Sequence, residues 1–255
     1  MIQEAFAVEH QAMTLRGMAY RPDRPGRHPA VMLLHSFTGT RTEAGYLFVR
    51  LARGLAERGV AAVTFDFRHC GESDGCYDQM QVTGELADAE HMTRWLQNQP
   101  FVDSERLGLL GFSLGGLVAS CLAGRTDVYR ALALLAPTTA ENVARYDQRE
   151  HPDEPVYVRQ HRLNRRFFED LSQLDPLADV VRHPRPTLLI QGTQDVHVRP
   201  DVSDHFVRVM REAEVELEHR YLEGSDHWFT QRPWQTEVLE TTIDFLAREL
   251  GGCGA

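Results

Sequence analysis

Ser113 stands in Gly111-Phe112-Ser113-Leu114-Gly115, and Gly116 follows. Glycines two residues to either side let the chain turn sharply from a strand into a helix, and the hydroxyl then projects at a helix N-terminus. The chemistry open to such a serine is attack on an acyl carbon. Its hydroxyl is a weak nucleophile, so a base must draw off the proton. Of 12 histidines, His227 is the first choice, because it follows the β-rich run 215–222 through the short loop Glu223-Gly224-Ser225-Asp226. The base must itself be oriented by an acid. Asp195, in QGTQDVHV after the run 187–192, completes the chain order serine, aspartate, histidine. Asp226 and Asp175 are its rivals, although side chains of neighbouring residues in an extended loop, such as Asp226 and His227, tend to diverge.

An oxyanion formed at the acyl carbon needs preorganised N–H donors. The backbone N–H of Leu114, next to the nucleophile, is one candidate. The other is the N–H of Phe37, in the loop His35-Ser36-Phe37-Thr38-Gly39. The Phe37 side chain then helps to wall the site, and His35 packs beneath the loop. His197 reads as a pocket wall or packing residue. Val196 and Trp228, beside the acid and the base, are expected at the substrate. Glu85, Asp88 and Glu90 read as a solvated helix face. The loop Cys70–Gly75 reads as a turn, since it lacks the lysine and glycine spacing of a phosphate cradle.

These residues need a scaffold that brings distant loops together. Apolar or β-rich runs at 4–9, 12–20, 30–35, 60–67, 106–111, 131–137, 187–192 and 215–222 predict eight strands. Helical stretches at 43–58, 82–98, 114–124 and 234–250 fall between and after them, with Gly59 closing the first. Alternation of this kind predicts an α/β fold, a mostly parallel sheet with helices on both faces. Such sheets place their sites at the C-terminal strand ends. The charged, aromatic stretch 138–180 shows no strand and is too long for a loop in a compact domain, so a small helical cap is expected there. The reading is one domain over 1–255 with this cap inserted.

A net charge of −10 argues against nucleic acid and anionic membrane as partners. The N-terminal stretch has no secretory pattern and no run approaches a bilayer span, so a cytoplasmic protein is expected. The spacing of Cys70, Cys76, Cys121 and Cys253 fits no zinc site. Reduced thiols are the expectation, with a local Cys70–Cys76 bridge as the alternative. All 27 basic residues are arginine, as a coding bias toward GC-rich codons would give.

Taken together, HSFTGTRTEAGYLF, FDFRHCGESDG, LGLLGFSLGG, QGTQDVHV and GSDHWF resemble the α/β-hydrolase superfamily, and within it most resemble bacterial feruloyl/cinnamoyl esterases and small carboxylesterases. Those show HGFTG, FDFRGxGxSxG and GxSxGG. The likeness covers about 30–250 and is weakest in the cap. Ser36 and His69 stand where that group has glycine. The resemblance implies an eight-stranded sheet, a triad at Ser113, Asp195 and His227, and oxyanion donors at Phe37 and Leu114. It also implies cap contacts to an aromatic acyl group, for which Tyr146 and Tyr157 are candidates.

The expected activity is hydrolysis of a small-molecule carboxylic ester, aromatic (hydroxycinnamoyl) or short-chain, through an acyl-enzyme and without metal or organic cofactor. A thioesterase, acyltransferase or peptidase shares the machinery. A non-catalytic ligand-binding homologue is the alternative from another class. The oligomeric state is left open, a homodimer among the options.

Overall fold

The structure is a computed structural model that describes residues 1–147, 154 and 156–251. The chain opens with the hairpin β1 (Ile2–His10) and β2 (Met13–Arg21), paired antiparallel from Ile2 opposite Arg21 to His10 opposite Met13. Then follow β3 (His28–Leu34), α1 (Leu47–Glu57), β4 (Ala61–Phe65), α2 (Val82–Gln97), β5 (Val102–Phe112), α3 (Leu114–Ala123) and β6 (Tyr129–Leu135). After an inserted segment come β9 (Thr187–Gly192), α7 (Pro200–Glu212), β10 (Leu217–Leu222) and α8 (Arg232–Glu249). The insertion holds α4 (Ala140–Ala144), the hairpin β7 (Val156–Val158) and β8 (His161–Leu163), α5 (Arg165–Leu171) and α6 (Pro176–Val180).

Eight strands form one sheet in the order β1-β2-β4-β3-β5-β6-β9-β10, antiparallel at β1/β2 and β2/β4 and parallel elsewhere. β3 shows why the central strands read as continuous apolar runs: all seven of its residues are buried. Ala30, Met32 and Leu34 face the core under α2, α3 and α7, while Val31 and Leu33 face the core under α1 and α8. Period-two alternation thus feeds both layers, and each large apolar side chain so buried contributes roughly 1.5–3 kcal/mol. At the end of α1, Gly59 takes φ +82°, with Gly59 N–H donating to the Ala56 carbonyl and Val60 N–H to that of Leu55. This closure needs a left-handed residue, hence glycine.

Three expectations change. The interval between β9 and β10, for which no element is expected, folds as α7, burying Val202, Phe206, Val207 and Met210 at helical spacing. The cap is not purely helical: it carries the β7–β8 hairpin, whose three-residue strands are too short to show alternation. Residues 148–153 and 155 of the cap lie outside the described residues.

Third, Glu85 and Asp88 are not solvated; both are buried, and Glu90 is partly so. Arg68 pairs with Asp88 through its backbone N–H and Nε at 2.8 and 2.9 Å. Among the described residues, Glu85 has no such cation. Burial, then the nearby Asp88 and Asp170, push its carboxyl well above the usual range. Cys70, Cys76 and Cys121 are free thiols, so the Cys70–Cys76 bridge is not formed; Cys253 lies outside the described residues. Among the described residues, no helix is long and apolar enough to cross a membrane.

Candidate active site

Ser113 sits between β5 and α3 with φ +54° and ψ −114°, a conformation costly for any residue with a side chain. Its glycine neighbours make that turn fit. A Cβ on Gly111 would lie 2.1 Å from the Gly115 carbonyl oxygen, one on Gly115 2.1 Å from that of Leu34, and one on Gly116 2.9 Å from Pro137 Cα. The glycines are therefore required by close backbone approach rather than by their own φ. The Ser113 N–H donates to the Leu135 carbonyl at 2.9 Å, anchoring the turn on β6.

The other two groups arrive on neighbouring loops. Gln194 N–H donates to the Ser225 carbonyl at 2.9 Å, and Gly224 N–H to Thr193 Oγ1 at 2.8 Å, tying the loop after β9 to the loop after β10. That brings Asp195 Oδ2 to 2.6 Å from His227 Nδ1, and His227 Nε2 to 3.1 Å from Ser113 Oγ. All three residues are buried. Asp195 Oδ1 accepts from the His197 and Val198 N–H groups, both at 2.8 Å, and Oδ2 also accepts from Gln191 Nε2 at 3.2 Å. Four donors hold the carboxylate in place. A carboxylate only accepts, so Nδ1 of His227 carries its proton and Nε2 turns a lone pair toward the serine. The arrangement can draw a proton from Ser113. The rival acids are engaged elsewhere: Asp226 accepts from Thr230 N–H at 3.0 Å, and Asp175 caps α6 through Ala178 N–H at 3.0 Å.

The loop after β3 is clamped on both sides of Phe37. Glu43, which is buried, accepts from Ser36 N–H, and the Tyr77 hydroxyl accepts from Thr38 N–H at 2.9 Å. His35 lies beneath: its Nε2 accepts from Phe67 N–H at 3.2 Å, so Nδ1 donates to the Ser36 carbonyl at 2.9 Å. It is a support for the loop, as expected. Thr38, not Ser36, takes the left-handed φ of +59°, so serine replaces the family glycine without strain; His69 does take the left-handed φ, +67°. The Phe37 N–H donates to no acceptor among the described residues. Leu114 is the first residue of α3, where helix geometry leaves N–H groups unpaired.

A cavity of about 280 Å³ opens over Ser113. Phe37, Tyr146, Tyr157, His197 and Trp228 line it as expected. Val196 does not: it is 76% exposed and faces away on the outer surface of its loop. Phe37 stacks on Phe167 with centroids 5.3 Å apart. His197 flanks His227 at 5.5 Å and meets the Tyr146 hydroxyl through Nδ1 at 3.2 Å. Burial, then the neighbouring His227, lower its affinity for a proton. The sequence reading passes over Gln191, Glu43 and Tyr77, which act on the site through other groups, and over Asn142 and Arg159 of the cap, which also line the cavity. No local pattern marks them.

A mostly parallel eight-stranded sheet with helices on both faces and a serine elbow after β5 defines an α/β-hydrolase. The chain belongs to the prolyl oligopeptidase family, whose model matches residues 51–253. In fold it is similar to Est1E from Butyrivibrio proteoclasticus, in a structure with ferulic acid bound, at TM-score 0.87 and 20% identity over 97% of this chain and 100% of that one. In sequence it is similar to an uncharacterised 31.7 kDa protein of Escherichia coli, 36% identical over 37% of this chain and 32% of that protein. It is also similar to a lysophosphatidylserine lipase of Bos taurus, 30% identical over 72% of this chain and 45% of that protein. The chain spans from about a third to just under two-thirds of the length of these and the other leading curated relatives.

Proposed function

We propose that this hydrolase cleaves carboxylic esters through Ser113, His227 and Asp195. The observation that carries the reading is the continuous chain from Asp195 Oδ2 through His227 to Ser113 Oγ, at 2.6 and 3.1 Å. Ser113 Oγ attacks the ester carbonyl carbon as its proton passes to His227 Nε2. Asp195 holds the ring and stabilises its charged form. The N–H groups of Phe37 and Leu114 receive the oxyanion. Collapse expels the alcohol, which takes the proton back from His227. Water, activated by the same nitrogen, then releases the acid and restores the serine.

The walls support aromatic or short acyl groups. Phe37, Tyr146 and Trp228 line a cavity of about 280 Å³, room for a small acyl chain rather than a long one. The fold neighbour crystallised with ferulic acid agrees with a hydroxycinnamoyl substrate. A second reading, peptide hydrolysis by the same groups, is favoured by the family match.

A fluorophosphonate probe should label Ser113 in the protein and leave Ser113→Ala unlabelled. Rates on p-nitrophenyl esters of increasing length, methyl ferulate and a peptide p-nitroanilide then rank the substrates. A Ser113→Ala variant with near full rate would refute the mechanism. Anilide cleavage without ester cleavage would favour the peptidase reading.

A further inference from the structure

The cap hairpin carries one group that the proposed ester cleavage does not use. Arg159 occupies the turn between β7 and β8 with φ +54°, a left-handed conformation that fixes where its side chain starts. Its guanidinium carbon lies 4.8 Å from the centroid of the Trp228 ring. Trp228 in turn stands edge-on to His227 at 5.3 Å. The guanidinium thus lies over the Trp228 ring in the lining of the cavity, one ring away from the histidine.

Its surroundings are unusual for an acidic chain with 37 Asp and Glu against 27 Arg. Among the described residues, no Asp or Glu lines the cavity, and Arg159 is the only Arg that does. No ion pair ties it to a described carboxylate, whereas Arg16, Arg41, Arg68 and Arg248 are each paired. Arg145 adds charge of the same sign behind the wall, donating to the His197 carbonyl at 3.0 Å. Both arginines bear on His197. A guanidinium over a ring keeps N–H groups free to bind a carboxylate bidentately.

We propose that Arg159 selects esters that carry a carboxylate, binding that group in the cavity beside Trp228. The inference rests on the hydrolase reading of Ser113 and adds the charge of its substrate.

Two ester pairs test it and locate the carboxylate. 4-Acetoxybenzoate against its methyl ester places the charge on the leaving group. Mono-4-nitrophenyl succinate against its methyl ester places it on the acyl group. In at least one pair, Arg159→Gln should lower the ratio of kcat/KM for the anion over the neutral ester by roughly three- to tenfold. Arg159→Lys, which keeps the charge without the planar fork, should retain part of the preference. Added salt should shrink the wild-type ratio. Ratios unchanged by Arg159→Gln in both pairs overturn the proposal. Failure of the hydrolase reading itself would show separately, as no ester turnover and no fluorophosphonate label. In that event calorimetric binding of 3-phenylpropionate against 3-phenylpropanamide decides: a carboxylate preference lost in Arg159→Gln supports the role, and equal binding overturns it.

Discussion

Tyr77→Phe removes one oxygen and tests how the loop after β3 is held. The hydroxyl accepts from Thr38 N–H at 2.9 Å, one residue beyond Phe37, whose own N–H faces the developing oxyanion in the proposed mechanism. Thr38 is held at φ +59°, a conformation that costs a residue with a Cβ about 1–2 kcal/mol. The hydrogen bond offsets that strain by about 1 kcal/mol net. Without it the poised loop should be about five- to tenfold less populated, by the usual conversion of about 1.4 kcal/mol per decade. The ring remains, packed against His161 at 4.0 Å and Phe37 at 6.3 Å, so the wall is kept. The expected result is kcat about five- to tenfold lower on p-nitrophenyl acetate with KM nearly unchanged. The ceiling is the roughly 100- to 1000-fold cost of losing an oxyanion donor outright. Steady-state kinetics beside a thermal melt would measure it. Wild-type kcat in a folded Tyr77→Phe protein would refute the argument, as would a loss explained by unfolding alone.

Asp195→Asn should leave the fold intact and lower kcat by about 10⁴, because an amide in place of the carboxylate favours the wrong tautomer of His227; a loss under tenfold in steady-state assays would point to another acid. Gly115→Ala places a Cβ 2.1 Å from the Leu34 and 2.5 Å from the His35 carbonyl oxygen, both backbone. Overpacking of that kind costs about 1–3 kcal/mol, so calorimetry should show a Tm lower by roughly 2–12 °C, and an unchanged Tm would contradict the packing. Glu85 has its folded-state pKa raised by burial, so the unfolded chain releases this proton at lower pH than the native one. Its contribution to stability is full below the ordinary carboxyl range and falls as pH rises toward the folded value, by up to about 1.4 kcal/mol per unit. Glu85→Gln cannot titrate, so urea denaturation should show the variant gaining on the wild type from pH 5 to 8; a constant difference would mean that Glu85 is ionised in the native state.

Much of the site was legible because it obeys local rules. The elbow needs glycines at fixed offsets from Ser113, and the acid and base follow strands whose apolar runs stand out. Chain order favours Asp195 over Asp226 and Asp175 as the candidate acid; in the structure Asp195 Oδ2 lies 2.6 Å from His227 Nδ1, while both rivals bond within their own turns. What escaped depends on distant partners. Glu85 and Asp88 look like a polar helix face until Arg68 and Asp170, 17 to 85 residues away in sequence, come to lie against it. Tyr77 and Glu43 gain meaning only once the chain has folded around the oxyanion loop. α7 is different: Val202, Phe206, Val207 and Met210 have helical spacing, and Pro200 opens the helix, so the signal was present in the sequence.

Tyr146, Tyr157 and Arg159 all come from the stretch between β6 and β9, while Ser113, Asp195 and His227 stand outside it on loops of the main sheet. In the proposed mechanism the reacting groups thus stand outside the insertion, which supplies one part of the cavity wall while Phe37, His197 and Trp228 supply another. On the proposed reading, substitutions in the insertion would change which molecules are accepted while leaving Ser113, Asp195 and His227 in place. A lineage can explore new substrates there while its chemistry stays fixed, and a designer can graft one such segment for another by the same route.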